Sequence, residues 1–278
     1  PPSTIMVIYG IVTETNIGKL FAAGVVPGLL TALAMMMAIV VVTSRDPEHA
    51  PPGERSTWSQ RWAAVRGIWG VLLLVIVVLG GIYGGVFTAT ESAAIAVVYS
   101  LIVSVYIYRG VNWKGVWKAL EECVETLSIV LILISVSSAF GYCLTTLHVP
   151  DLAAKAVTSL SSNPIIIALL INVILLVLGT IMDMAPIILI ATPILLPIAE
   201  SIGIGPIQFG IILVLNCGIG LLTPPVGTVL FIGSAIAKRP MEKIVRATMP
   251  FYLCMIVALL LITFIPEISL WLPSLVAK

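Results

Sequence analysis

The sequence predicts an all-α polytopic membrane protein in which some of the spanning helices are discontinuous. Three observations predict it. Hydrophobic residues make up 60% of the 278 and charged residues only 10%, too little charge to cover a soluble domain of this size. The apolar runs are long and continuous instead of alternating, which selects helices over a barrel. Two apolar stretches are interrupted by prolines, each of which removes a backbone donor and clashes with the preceding turn.

A bilayer is crossed by about 20 apolar residues. Runs of that kind cover 20–43, 67–83, 88–108, 124–147, 164–182 and 248–265. The stretch 184–199 is apolar but carries Pro186, Pro193 and Pro197, and 208–237 is interrupted by Thr223-Pro224-Pro225-Val226-Gly227. These read as short or discontinuous helices. Thr88 and Glu91 have capping-box spacing after Gly84-Gly85, so Glu91 is read first as a helix-start residue. Two polar connections have helical periodicity with tryptophan on the apolar side. One holds Trp58, Trp62 and Trp69, the other Trp117, Leu120, Val124 and Leu127. Both read as amphipathic helices at the membrane surface, a partner-protein surface being the alternative.

Several classes of function lack residues. The net charge of +1 comes without a basic cluster, so nothing points to nucleic acid. Cys123, Cys143, Cys217 and Cys254 show no redox or metal spacing and read as small apolar residues. A membrane enzyme would need clustered His or Cys, or paired carboxylates, at membrane depth, and none occurs. No ring of pore-lining charge suggests a channel.

An internal repeat organises the chain. At a constant offset of 223, Pro1 and Pro2 fall on Pro224 and Pro225, Gly10 on Gly233, and Pro27 on Pro250. Basic residues follow one copy (Lys238, Arg239) and not the other, as an inverted pair would require. Threading the spans with residues 14–19 outside places every Lys and Arg except Lys19, Lys155 and Lys278 in the cytoplasm. The expected division is residues 1–83 as the end of a first inverted repeat: broken-helix half, following span, cytoplasmic loop and linking span. Residues 84–278 form the second repeat, with scaffold spans, a re-entrant hairpin at 164–199, the broken helix at 208–237 and a last span. The chain begins with Pro inside a motif, so the repeat predicts at least about 140 further residues upstream.

The breaks carry the chemistry. Freed carbonyls inside a membrane are tolerated only in a protein interior or a polar cavity. Such carbonyls and a half-helix C-terminus suit a cation, while a half-helix N-terminus attracts carboxylate. Thr223 adds a hydroxyl oxygen, and Gly227 permits close backbone approach. Gly179-Thr180-Ile181-Met182-Asp183 forms the tip of the expected hairpin. Asp183 there is read as an ion ligand, a helix cap, or both. Asn172 and Asn216 are read as interhelical hydrogen-bonding residues.

These segments resemble a known family. Gly220-Leu221-Leu222-Thr223-Pro224-Pro225-Val226-Gly227 is similar to the signature of the large membrane subunit (DctM-like) of TRAP (tripartite ATP-independent periplasmic) transporters. So are Gly85-Val86-Phe87-Thr88-Ala89-Thr90-Glu91, Gly179–Asp183 and Thr192-Pro193-Ile194-Leu195-Leu196-Pro197. Pro1-Pro2-Ser3 looks like the matching break of the first repeat. The resemblance covers the whole chain in order. It implies an inverted-repeat ion-transporter-superfamily fold with an elevator-like transport domain in the bacterial inner membrane. It further implies Na⁺-coupled import of an organic acid, such as a C4-dicarboxylate or sialic acid, delivered by a periplasmic substrate-binding protein. A small membrane subunit, separate or fused, completes the complex. Na⁺ is implied as coupling ion, with no cofactor. Carried over, one ion and substrate site comprises Gly179, Thr180, Asp183, Thr223, Pro224, Pro225 and Gly227, with Na⁺ at Gly179, Thr180, Asp183, Thr223 and Gly227. Pro1, Pro2 and Ser3 match the break of a second site whose hairpin tip lies upstream. A carrier of the same superfamily working without a binding protein is the alternative.

Overall fold

The structure, a computed structural model, describes residues 2–45, 56–160 and 163–276. Its elements are helical, and no strand occurs among the described residues. Six of these helices are long and apolar enough to cross a membrane, seven if the bent pair Trp58–Gly67 and Trp69–Tyr83 counts as one span. Large apolar side chains such as Leu29, Met37, Val97, Ile132 and Ile236 stand on the outside. In water they would carry a large hydrophobic cost. The protein is a multi-pass α-helical membrane protein.

The chain forms two compact units, Pro1–Asp46 with Ile132–Lys278, and Pro47–Leu131. In the first, α1 (Thr4–Val12) leads into α2 (Ile17–Arg45), which carries Pro27. The latter part of α6 (Trp113–Thr146) follows, then α7 (Val149–Leu160), α8 (Pro164–Ile181), α9 (Met184–Ser201) and α10 (Pro206–Gly220). After a break come α11 (Thr228–Ala237), α12 (Met241–Phe264) and α13 (Pro266–Val276). Pro164, Pro206 and Pro266 stand at helix starts, where the missing N–H is no loss. The segments α1–α2 and α11–α12 share an order of elements. Each has a short helix, then a residue with positive φ (Glu14, 52°; Lys238, 50°), then a long helix with an internal proline, Pro27 or Pro250.

Directions within this unit follow from two clusters. At one end a small cavity of about 170 Å³ gathers Pro164 and Ala168 from α8, Gly203 after α9, Gln208 from α10 and Thr263 from α12. At the other end Gly179 lies against Gly220, and the Tyr252 hydroxyl donates to the Leu222 carbonyl. Hence α8 and α10 run parallel, and α9 and α12 run against them. The core between them is apolar and fully buried at Leu175, Ile188, Ile198, Leu213 and Leu259. The Tyr9 ring packs on Phe209, and its hydroxyl donates to the Pro206 carbonyl at 2.6 Å, tying α1 to the start of α10.

The second unit contains α3 (Trp58–Gly67), α4 (Trp69–Tyr83), α5 (Ala89–Ile102), a π-helical turn (Val103–Ile107) and the first part of α6. Trp58 and Trp62 are exposed, with Arg61 above the Trp58 ring. α3 meets α4 at 61°. The Tyr108 hydroxyl occupies that bend, donating to the Gly67 carbonyl at 3.0 Å and accepting from the Gly70 N–H at 3.3 Å. Thr88 and Glu91 form a complete capping box, which supports the reading of Glu91 as a helix-start residue. Thr88→Ala is expected to cost about 1 kcal/mol, read as a lower unfolding midpoint in detergent.

Two expectations are corrected. The stretch 184–199 is not short or discontinuous: Met184–Ser201 is one 18-residue helix with Pro193 and Pro197 inside it, each proline forgoing one backbone bond without ending the helix. The stretch around Trp117 to Leu127 is not a separate surface helix: Trp113–Thr146 is one uninterrupted 34-residue helix. Nothing between Trp117 and Phe140 breaks it, since residues 117–122 are dominated by strong helix formers and proline and glycine are absent. An amphipathic face defines which side faces the interior, not where the helix stops.

Candidate functional site at a helix tip and a helix break

The discontinuity expected in 208–237 is present. α10 ends at Gly220, and residues 221–227 form a non-helical link that includes a cis peptide between Pro224 and Pro225. Gly227 then starts α11 with φ 48°, in the left-handed region. A Cβ at Gly227 would fall 3.0 Å from the Thr223 carbonyl oxygen and 2.9 Å from Leu230. Gly227→Ala is therefore expected to lose about 1–2 kcal/mol of stability, measurable by chemical unfolding in detergent.

Between α8 and α9 the chain turns at Met182 and Asp183. Asp183 caps α9, its Oδ1 accepting the Met184 N–H at 2.8 Å, and its side chain is exposed. A charged cap at a helix start is favoured by the positive end of the helix. Oδ2 has no hydrogen-bond partner among the described residues. Pro186 has no N–H to offer the Met182 carbonyl one turn back.

The structure brings tip and break together. The Thr180 carbonyl accepts hydrogen bonds from the Val226 and Gly227 N–H groups at 3.2 and 3.4 Å. Gly179 and Gly220 touch backbone to backbone: a Cβ on Gly220 would lie 2.5 Å from the Gly179 Cα. The Thr223 hydroxyl is half-buried and donates to the Ile219 carbonyl at 2.7 Å, leaving oxygen lone pairs available. Among the described residues, the carbonyls of Gly179, Leu221, Thr223, Pro224 and Pro225 accept no hydrogen bond.

The carbonyl ends of α8 and α10 thus lie side by side, next to the N–H ends of α9 and α11. Helix C-termini carry partial negative charge and N-termini partial positive charge. One small region therefore offers oxygens for a hard cation and N–H dipoles for an anion.

The expected site residues fall into two groups. Gly179, Thr180, Thr223, Pro224, Pro225 and Gly227 are assembled around this contact, with Asp183 at the tip. Pro2 and Ser3 are not joined to it by any hydrogen bond among the described residues, and Ser3 begins α1 without a side-chain cap. Pro1 lies outside the described residues. Tyr252 was not legible as part of the site. Its hydroxyl donates to the Leu222 carbonyl and accepts from Thr248 at 3.1 Å, fastening the break to α12. The partner is a main-chain carbonyl 30 residues away, which no side-chain pattern announces.

Residues 1–268 match the family described as tripartite ATP-independent periplasmic transporter, DctM component. The chain is 44% identical over 278 residues to the uncharacterized protein YgiK of Salmonella typhimurium, covering 100% of this chain and 63% of that protein. It is 43% identical over 275 residues to the C4-dicarboxylate TRAP transporter large permease protein DctM of Pseudomonas aeruginosa, covering 99% and 64%. It is 37% identical over 278 residues to the isethionate TRAP transporter permease protein DctMQ of Oleidesulfovibrio alaskensis, covering 98% and 42%. The chain therefore spans less than two thirds of the length of these relatives. With a match to that family along nearly its whole length, this chain belongs to the DctM component family of the tripartite ATP-independent periplasmic transporters.

Proposed function

We propose that this chain is part of a permease subunit that imports a small organic acid by Na⁺ symport. The substrate class is a C4-dicarboxylate, sialic acid or a similar carboxylate. A soluble periplasmic binding protein delivers it, and a small membrane subunit completes the permease. The observation that carries this reading is the junction of the Thr180 carbonyl with the Val226 and Gly227 N–H groups, which sets the tip that ends at Asp183 against the helix break. Na⁺ sits among Gly179, Thr180, Asp183, Thr223 and Gly227, and the carboxylate faces the N–H ends of α9 and α11, with Pro224 and Pro225 holding the break open. Family relatives named for a C4-dicarboxylate and for isethionate support a small organic anion as cargo.

In this reading α8 and α9 form a re-entrant pair, because their tip meets a break within the helix path of α10 and α11 and not a surface loop. Residues 1–83 and 84–278 are portions of two inverted repeats, and the shared order of elements around Pro27 and Pro250 supports the pairing. The membrane is the bacterial inner membrane, with the basic loops in the cytoplasm. A second, equivalent site uses the break at Pro1, Pro2 and Ser3.

Uptake by the full-length permease with its small subunit, reconstituted in liposomes with the cognate binding protein, tests this. Accumulation of one organic acid that needs both an inward Na⁺ gradient and liganded binding protein is the expected result. Excess unliganded binding protein is expected to inhibit. Equal uptake without Na⁺ or without the binding protein would overturn the corresponding half of the proposal.

A further inference from the structure

Asn172 on α8 and Asn216 on α10 are both buried, at 3% and 0% exposure. Asn216 Nδ2 donates to Asn172 Oδ1 at 2.7 Å and to the Ile212 carbonyl at 2.8 Å. Asn172 Nδ2 donates to the Ala168 carbonyl at 2.9 Å and to Thr263 Oγ1 on α12 at 3.2 Å. The Thr263 hydroxyl in turn donates to the Leu259 carbonyl. The bridge therefore joins three helices, and its partners fix how each amide is turned.

Stability alone does not account for it. Asn216 Oδ1 is buried with no hydrogen-bond partner, a cost that interiors otherwise avoid. Two apolar side chains of similar shape would fill the same space without that orphan. A polar pair among smooth apolar surfaces does something apolar packing cannot: it permits one register only.

The register it permits is the one the site needs. Asn172 and Gly179 are two turns apart on one face of α8, and Asn216 and Gly220 one turn apart on one face of α10. A Cβ on Gly179 would lie 3.4 Å from the Asn216 carbonyl oxygen, so the bridge and the glycine seam are successive rungs of one contact. Beyond the seam come Thr180 and the break. A turn or slide of α8 against α10 would part the Thr180 carbonyl from the Val226 and Gly227 N–H groups.

We propose that Asn172 and Asn216 are positioning residues: their amide bridge fixes the register of α8 on α10, brings tip and break into one cation shell, and so sets Na⁺ affinity. This rests on the cation site proposed above. Neither side chain is assigned a contact with the ion.

The double variant Asn172→Leu/Asn216→Leu tests it, because it removes both amides and leaves no orphan. Two readouts are needed from the full-length, assembled transporter. One is the Na⁺ concentration for half-maximal uptake. The other is the rate of disulfide formation between Ile181→Cys and Val226→Cys with the native cysteines replaced, which reports tip–break alignment with no reference to sodium. The expected result is a near wild-type unfolding midpoint, a half-saturating Na⁺ raised about fivefold or more, and slower cross-linking. Unchanged half-saturation together with unchanged cross-linking overturns the proposal, whatever happens to stability. Should the double variant fail to accumulate, Thr263→Val loosens the anchor of Asn172 with little change of shape; both readouts unchanged there overturn it equally. Should wild-type uptake ignore sodium, the cation reading fails, and the cross-linking rate alone decides whether the bridge sets the register.

Discussion

Gly220→Ala is expected to abolish uptake and to destabilise the folded permease by about 1–3 kcal/mol. The added Cβ would lie 2.5 Å from the Gly179 carbonyl carbon and Cα. Those are backbone atoms and cannot swing aside, so α8 or α10 must move. Either movement separates the Thr180 carbonyl from the N–H groups of Val226 and Gly227. The reciprocal change is milder, because a Cβ on Gly179 would meet the Gly220 Cα at 3.1 Å. Gly179→Ala should accordingly keep more activity and a higher unfolding midpoint in detergent than Gly220→Ala. Equal midpoints for both variants and the wild type would show that the seam is looser than this contact implies.

Asp183→Asn is expected to raise the half-saturating Na⁺ concentration about tenfold or more with little effect on folding. Asparagine caps a helix about as well as aspartate, so the bond to the Met184 N–H survives. What is lost is a full negative charge beside the proposed cation site. At a few ångströms and an effective dielectric of about 20, that is worth several kcal/mol before solvent screening. Because Asp183 is exposed, the smaller end of that range applies. Thr223→Ala removes a proposed neutral ligand and a hydroxyl bond to Ile219, so its effect on sodium should be in the same direction and smaller. Both variants should reach the membrane in wild-type amounts. Loss of membrane protein in step with loss of uptake would assign Asp183 a folding role instead.

Much of this arrangement is legible in the sequence where proline and glycine mark it. Pro224, Pro225 and Gly227 cannot continue a membrane helix, and the structure breaks there. Thr88 with Glu91, and Asn172 with Asn216, are polar groups in apolar surroundings whose hydrogen bonds had to be local or interhelical, and they are. The tyrosines are a different matter. Tyr9, Tyr108 and Tyr252 each place a hydroxyl on a main-chain carbonyl at a terminus, a bend or a break. A carbonyl exists at every position, so no residue pattern identifies the partner in advance. Helix ends without punctuation are equally silent. The run from Trp113 to Thr146 passes from an amphipathic stretch to an apolar one along one backbone. That Gly179 would sit on Gly220 depends on the parallel course of two helices, which periodicity along either one does not contain.

The central claim is that the α8–α9 tip and the α10–α11 break together hold Na⁺. Equilibrium binding of radioactive sodium to the purified full-length permease, wild type against Asp183→Asn, tests it most directly. Saturable binding that potassium does not displace, and that Asp183→Asn weakens about tenfold, is the predicted result. Identical sodium binding in the two proteins, or none that saturates in either, would contradict it.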